Sequence, residues 1–365
     1  MFDISNLQGD AQSLFLYVVP FLGLITLLVF VHEMGHYISA RRHGVKIEAF
    51  SIGFGKEIFG WTDRLGTRWK VCMIPMGGYL KMFSDSDPTS RPDEKKIAGM
   101  TAAEKQMSLF HKPVLQRLEI AAAGPLANYI LAFFVIVFIY VFHGQPMEDK
   151  SVRIRAVLTE SPAGKAGVLP DDVILSVDKQ AVHSFADLAN AVKARQGDTL
   201  TLLIDRQGSQ VLTNVAFSDG VTLMGVFPSI TLQKQSVLDA AGAALTRCWD
   251  VTTLTLKSLG NMILGHQSAS SLSGPLGIAK ATKEATAQSV WDVLWLGAMI
   301  SLALGIFNLL PIPALDGGHI LFYTIEAVRG KALSIKTQER LMFAGFAILL
   351  SVFLFATFND IKMHF

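Results

Sequence analysis

Residues 32–36 read HEMGH. On a helix, His32 and His36 lie four apart on one face, and each can turn an imidazole nitrogen toward the same ion. Glu33 stands beside the first histidine, placed to reach a water at that ion without binding the ion itself. These residue types at this spacing suit metal-assisted hydrolysis: neutral imidazoles hold a divalent cation, and the carboxylate acts as general base. The setting sharpens the point. The motif closes the run TLLVFVHEMGHYISARR, residues 26–42, most of which is apolar enough for hydrocarbon. Ionisable side chains there cost about 2.5–3.5 kcal/mol each even on lenient scales, so they are kept where they serve a function. The plainer alternative has the histidines bonding to neighbouring helices while Glu33 reaches for the interface.

The elements that position these residues follow from composition. Of 365 residues, 51% are hydrophobic and 17% charged, with mean hydropathy +0.40 and 24 Phe. A soluble domain carries about 25% charged residues, so the deficit points to an integral membrane protein. A net charge of +2 gives no basic field of the kind nucleic acid attracts, and no nucleic-acid partner is expected. Four runs are long enough to cross hydrocarbon: residues 14–38, 120–142, 293–315 and 341–358. The flank MFDISNLQGDAQS contains two aspartates and no Lys or Arg, which argues against a cleavable signal peptide. Basic residues crowd the segment between the first two spans and the short loop between the last two, placing both on the cytoplasmic side. Both termini and residues 143–290 then face the opposite side. Cys72 and Cys248 fall on opposite sides in this topology and read as unlinked packing residues.

A catalytic zinc uses three protein ligands and keeps one position open. The extended form of the histidine motif would supply the third, but Ser39 stands where it needs glycine and Arg42 where it needs histidine. The third ligand must come from another element at the same depth. The third span runs inward and ends in NLLPIPALDGGH, residues 308–319, at the cytoplasmic level of His36. Pro311 and Pro313 forbid a regular helix and free backbone groups to line a cavity. Asp316 is therefore the expected third ligand, with His319 as the competing one. Iron or cobalt would accept the same ligands as zinc.

The rest of the chain falls into recognisable pieces. Residues 1–143 form an N-terminal membrane half and residues 291–365 a C-terminal one. Within the first, residues 46–83 are glycine-rich with strand-like runs and read as β-hairpins dipping toward the bundle, whereas SDSDPTSRPDEKKIAG (84–99) reads as a polar linker. Residues 150–229 alternate like half-buried strands around one Ser-capped helix, SFADLANAVKAR, with a hairpin turn at 206–208. Residues 230–290 are amphipathic and expected on the outer membrane surface or against the bundle. In the second span, the small residues of GPLAN (124–128) allow close helix approach, and Pro125 and Asn128 read as structural support for the site.

Taken together, HEMGH (32–36), GFG (53–55), MGGYLKM (76–82), GPLAN (124–128), SGPLGI (273–278) and NLLPIPALDGG (308–318) resemble, in order, the motifs of the site-2 protease family of intramembrane zinc metalloproteases. The likeness is strongest to its bacterial branch, the regulator-of-sigma-E proteases. It implies a polytopic α-helical membrane protein with four transmembrane helices, a reentrant β-hairpin region and one inserted periplasmic PDZ-like α+β domain. It implies one catalytic Zn²⁺ on His32, His36 and Asp316, with Glu33 as general base. Asn308 matches the asparagine that holds substrate backbone near the metal. Gly77, Gly78 and Tyr79 fall in the reentrant β-loop whose edge pairs with an extended substrate, although a tight turn alone would also explain the two glycines. The resemblance places the chain in a bacterial inner membrane, with the active site near the cytoplasmic side. The implied substrates are single-pass membrane proteins: an anti-sigma factor trimmed outside beforehand, and remnant signal peptides. The module at 150–229 resembles a circularly permuted PDZ domain that meets peptide tails or substrate ectodomains. The branch's best-studied members carry two such domains, and this chain has room for one. Two other functions compete. A non-catalytic PDZ-bearing membrane scaffold would not need both Glu33 and Asp316. A metal transporter would need ionisable stations through the whole membrane thickness, and these cluster at one depth.

Overall fold

The computed structural model describes residues 4–83, 97, 99–149, 151–194, 199–217, 223–268 and 273–364. Nearly all of the polar stretch 84–99 and residues 269–272, ahead of SGPLGI, lie outside them. The chain divides into two compact units, Met1–Ile139 with Leu238–Phe365, and Tyr140–Val237.

The first unit opens with α1 (Ile4–Arg42), followed by β1 (Ile47–Thr62) and β2 (Arg68–Met82), and then α2 (Val114–Phe142). β1 and β2 form one long, irregular antiparallel hairpin. Its base packs on the C-terminal half of α1: Val45, Ile47, Phe50, Leu80 and Met82 form a core with Ala40, and Phe30, Met34 and Tyr37 lie against it. Trp69 stacks between Phe50 (centroids 4.6 Å) and Trp61 (5.8 Å). The turn is tied by Asp63, whose carboxylate accepts from the Leu65 and Thr67 amides and from the Trp69 indole, each at 2.9 Å. Desolvation would raise this carboxyl, but those bonds outweigh it and hold it below the usual carboxylate range. Farther along β2, the Pro75 carbonyl accepts a 2.8 Å bond from the Thr26 hydroxyl. Thr26 lies six residues before His32, about 9 Å along the helix axis.

The second unit contains β3 (Gln145–Glu148), β4 (Ile154–Val157), β5 (Val173–Val177), β6 (Gln180–Ala181), α3 (Phe185–Ala194), β7 (Thr199–Arg206), β8 (Ser209–Ala216), β9 (Val226–Pro228) and β10 (Ile230–Gln233). Strands β6-β5-β7-β8 make an antiparallel sheet, while β4 pairs with β9 and β3 with β10. Leu200, Leu202 and Ile204 alternate inward along β7 onto a core that includes Ile154, Ile174 and Leu188. The β7–β8 hairpin turns through Gln207 and Gly208, both at positive φ. Ser184 caps α3 by accepting from the Asp187 amide at 3.1 Å. Buried Asp172 receives two bonds from Arg206, at 2.9 and 2.8 Å.

The chain then returns to the first unit with α4 (Val237–Ile263), α5 (Pro275–Gln288), α6 (Val290–Leu309), α7 (Asp316–Arg329) and α8 (Ile335–His364). Four stretches are long and apolar enough to cross a membrane: Val18–Arg42 of α1, α2, α6 and Ile335–Lys362 of α8. They leave Phe134, Phe343, Phe353 and Phe358 exposed, as hydrocarbon-facing surfaces do. The third ends at Leu309, short of residue 315, because Pro311 and Pro313 cannot continue a helix. α4 turns Ala240, Ala244 and Cys248 inward and hydrogen-bonds through Thr252 to Tyr129 of α2 at 3.1 Å. Cys72 and Cys248 are free, buried thiols.

The start of α5 is fixed from the far end of the chain. Fully buried Asp360 of α8 accepts from the Gly274 and Gly277 amides, each at 2.9 Å. Charge-assisted bonds to helix-end amides contribute about 1.5–3 kcal/mol each. Asp360→Ala is expected to lower the melting temperature of the detergent-solubilised protein by several degrees, and Asp360→Asn by less. Equal melting of all three proteins would show that the cap contributes nothing.

Candidate metal centre

The two histidines reach their positions because α1 continues without interruption through the motif. Asp316 arrives differently. After α6 the chain leaves helical geometry at Leu310, passes Ala314 at φ 79°, and re-enters a helix at Asp316. This reversal needs glycine at the next two positions. A Cβ on Gly317 would lie 2.0 Å from the Leu310 carbonyl oxygen, and one on Gly318 would lie 2.6 Å from that of Ile312. The first turn of α7 thus folds directly onto the loop before it and carries Asp316 to the face of α1.

Three ligand atoms converge there. Asp316 Oδ2 lies 3.0 Å from His32 Nε2 and 3.5 Å from His36 Nε2, and the two nitrogens are 3.2 Å apart. Ligands about 2.0–2.1 Å from a tetrahedral zinc stand about 3.3 Å from one another, so this triangle has the dimensions of one face of such a site. The chemistry agrees with the geometry. Asp316 Oδ2 is buried and, although both imidazoles approach it, accepts no well-directed hydrogen bond, a deficit that a cation removes. Among the described residues this is the one group of three His, Cys, Asp or Glu side chains close enough to share an ion. The residues present therefore fit a zinc ion.

Helix α2 supports the centre from behind. Nδ1 of His36, itself buried, lies 2.7 Å from the Ile120 carbonyl, which can only accept; Nδ1 therefore carries a proton, and Nε2 is the nitrogen turned toward Asp316. The Asn128 amide lies 3.3 Å from His32 Nδ1. α2 comes this close because Gly124 has no side chain: a Cβ there would fall 2.2 Å from His36 Nε2. α7 is tied to the start of α2 by Arg117, which is buried and donates to both oxygens of Glu326 at 2.9 and 2.6 Å.

Glu33 lies within electrostatic reach of His32, His36 and Asp316, and the Leu80 backbone approaches its carboxylate. Leu80 belongs to the Gly78–Met82 part of β2, which pairs with β1 on one side and, among the described residues, with no strand on the other. Gly78 sits opposite Ile52, where a Cβ would meet the Ser51 carbonyl oxygen at 2.5 Å. Gly77 has φ 97°. The Tyr79 hydroxyl accepts from Lys70 Nζ at 2.7 Å, and its ring stacks on Phe54. Asn308 lies in the last turn of α6, where its amide donates to the Leu304 carbonyl at 3.0 Å. His319 lies in α7 beside Phe322 and Tyr323, apart from the three converging atoms. The sequence did not anticipate the approach of the Leu80 backbone to Glu33 or the direct approach of Asn128 and Gly124 to the two histidines. The small residues of GPLAN were the available signal, but they also fit ordinary helix packing.

The model of peptidase family M50 matches residues 20–352. A Rhizobium meliloti protein that carries the provisional name zinc metalloprotease is 36% identical over 366 residues, covering 96% of this chain and 97% of its own. Metalloprotease MmpA of Caulobacter vibrioides is 34% identical over 382 residues, covering 95% and 96%. Among solved structures, the PDZ domain of an SdrC-like protein from Listeria innocua aligns with 23% of this chain and 99% of its own, at 18% identity and a TM-score of 0.19, too low to bear on the fold. With a family match over most of its length and full-length relatives at this identity, the chain belongs to peptidase family M50, the site-2 protease family, and is a multi-pass membrane metalloprotease.

Proposed function

We propose that this chain is an intramembrane zinc protease that hydrolyses peptide bonds in the transmembrane segments of single-pass proteins. The observation that carries the reading is the convergence of His32, His36 and Asp316 on one point, with both histidines inside a membrane-length helix. His32, His36 and Asp316 hold the ion. Zinc at these ligands supplies a Lewis acid that polarises the scissile carbonyl and makes water more acidic. Glu33 takes the proton from the attacking water and passes it to the leaving nitrogen. One N–H of the Asn308 amide is held by the Leu304 carbonyl, and the other donates to the substrate backbone.

A substrate helix hides its amides and must be opened before it can be cut. The edge at Gly78–Leu80, beside which no described strand lies apart from β1, gives the opened backbone new partners by strand addition, and Gly77, Gly78 and Tyr79 shape that edge. Reentrance of the hairpin is supported by the Thr26–Pro75 bond, which ties it well inside the first span. Charge distribution supports a bacterial inner-membrane topology with both termini and the second unit in the periplasm. There the PDZ-like module, residues 150–229, excludes substrates whose ectodomain is still bulky. The substrate classes are an anti-sigma factor already trimmed outside, which links the enzyme to stress signalling, and remnant signal peptides.

In lipid vesicles, a single-pass substrate with a trimmed ectodomain is expected to be cut and the same substrate with a folded ectodomain to be spared. A chelator should stop cleavage and added zinc restore it. Cleavage that ignores the chelator would remove zinc from the mechanism, and equal cutting of both substrates would remove the gate.

A further inference from the structure

GPLAN ends in Asn128, which has no exposed surface. Its backbone is pinned, since the Ser301 hydroxyl of α6 donates to the Asn128 carbonyl at 2.9 Å. Its side-chain amide lies 3.3 Å from His32 Nδ1, while the other ring nitrogen, Nε2, faces Asp316 at 3.0 Å. Asn128 is therefore in line with the ring and the site, one imidazole back.

The direction of this amide decides what His32 can do. As placed, Nδ2 faces the ring, and Oδ1 is buried with no donor. A buried carbonyl left this way costs about 1–3 kcal/mol. With Nδ2 donating to Nδ1, the single proton of a neutral imidazole sits on Nε2, where a ligand needs its lone pair. A half-turn about the Cβ–Cγ bond exchanges oxygen and nitrogen in nearly the same space, an exchange settled by the hydrogen bonds rather than by shape. Oδ1 then accepts from Nδ1–H, the amide N–H groups turn to the side where Oδ1 stood, and Nε2 is free to bind.

We infer that Asn128 is a positioning residue of the metal centre: its side-chain oxygen accepts the Nδ1 proton of His32 and holds that ring with Nε2 toward the ion. His36 receives the same service from the Ile120 carbonyl. Both imidazoles are thus steadied by α2, one through main chain and one through a side chain. Only the second can be removed by substitution.

The inference rests on the reading of His32, His36 and Asp316 as zinc ligands, and the experiment separates the two. Full-length wild type, Asn128→Leu and Asn128→Asp are purified in detergent, and zinc affinity is measured by competition with a chromogenic chelator. Circular dichroism of the metal-free proteins checks folding. Leucine shares asparagine's branching at Cγ but offers no acceptor, whereas aspartate keeps one. Asn128→Leu is expected to weaken zinc binding by roughly 10–100-fold, the usual loss when the partner of a ligating histidine is removed, and Asn128→Asp to bind within a few-fold of wild type. Wild-type affinity in Asn128→Leu would overturn the inference, and so would equal losses in the two variants, which would make the role one of packing. If Asn128→Leu fails to fold, Asn128→Ala against Asn128→Asp makes the same comparison. Wild type without zinc would overturn the ligand reading itself.

Discussion

Glu33→Gln is expected to abolish peptide hydrolysis while leaving zinc bound. The substitution keeps the size of the side chain and an oxygen that can face the Leu80 backbone, so the contact between α1 and the β2 edge survives. It removes the one property the mechanism needs, a carboxylate able to take a proton from water and return it to the leaving nitrogen. General-base catalysis of this kind is worth roughly 10²–10⁴ in rate. The three proposed ligand atoms belong to other residues, so metal content should stay near one zinc per chain in both proteins. Initial rates on a membrane-embedded substrate, with metal measured by emission spectroscopy, check both halves. A rate within a few-fold of wild type would remove Glu33 from the chemistry, and loss of zinc would give it a ligand's role instead.

A single methyl group on a neighbouring helix should be nearly as damaging. In Gly124→Ala the new Cβ would stand 2.2 Å from His36 Nε2 and 2.7 Å from both ring carbons beside it. No side chain packs at such distances, so either the ring or the helix must move. The ring is pinned through Nδ1 to the Ile120 carbonyl at 2.7 Å. α1 and α2 are already in close contact nearby, since a Cβ on Gly35 would lie 2.3 Å from the Ala123 carbonyl oxygen. Relief therefore comes at the expense of the metal geometry. Overpacking of this kind costs about 1–3 kcal/mol in stability. Zinc affinity should fall by at least the roughly 10–100-fold seen when a ligand loses its support, and activity should fall with it. Chelator competition and the cleavage rate measure these effects. Full zinc affinity in Gly124→Ala would mean that α2 does not approach His36 as described.

The convergence of His32, His36 and Asp316 was legible because its signal is local and chemical. His32, Glu33 and His36 are fixed by spacing on one helix, and Asp316 by topology, since the third span had to end near them. The four long helices followed from hydropathy. Less was legible wherever the decisive contact joins distant parts of the chain. Asn128 meets His32 across 96 positions, Arg117 meets Glu326 across 209, and Asp360 binds the Gly274 amide 86 residues before it. Nothing in local periodicity encodes such pairings. Element ends were blurred for a related reason. Hydropathy marks what hydrocarbon tolerates, not where a helix stops, so α1 extends back to Ile4 through polar residues and α6 ends at Leu309 before an apolar run does. In residues 230–290, Gly265, Gly274 and Pro275 mark the breaks that separate α4 from α5, while the shared amphipathic character reads as one segment.

The position of the cut bond tests the intramembrane reading most directly. A single-pass substrate with a trimmed ectodomain, reconstituted in vesicles with the wild-type protein, would be digested and its products weighed by mass spectrometry. The expected products end inside the apolar segment and are missing when Glu33→Gln replaces wild type. Products that all end in the polar flanks, or that form equally with Glu33→Gln, would contradict hydrolysis within the membrane by this centre.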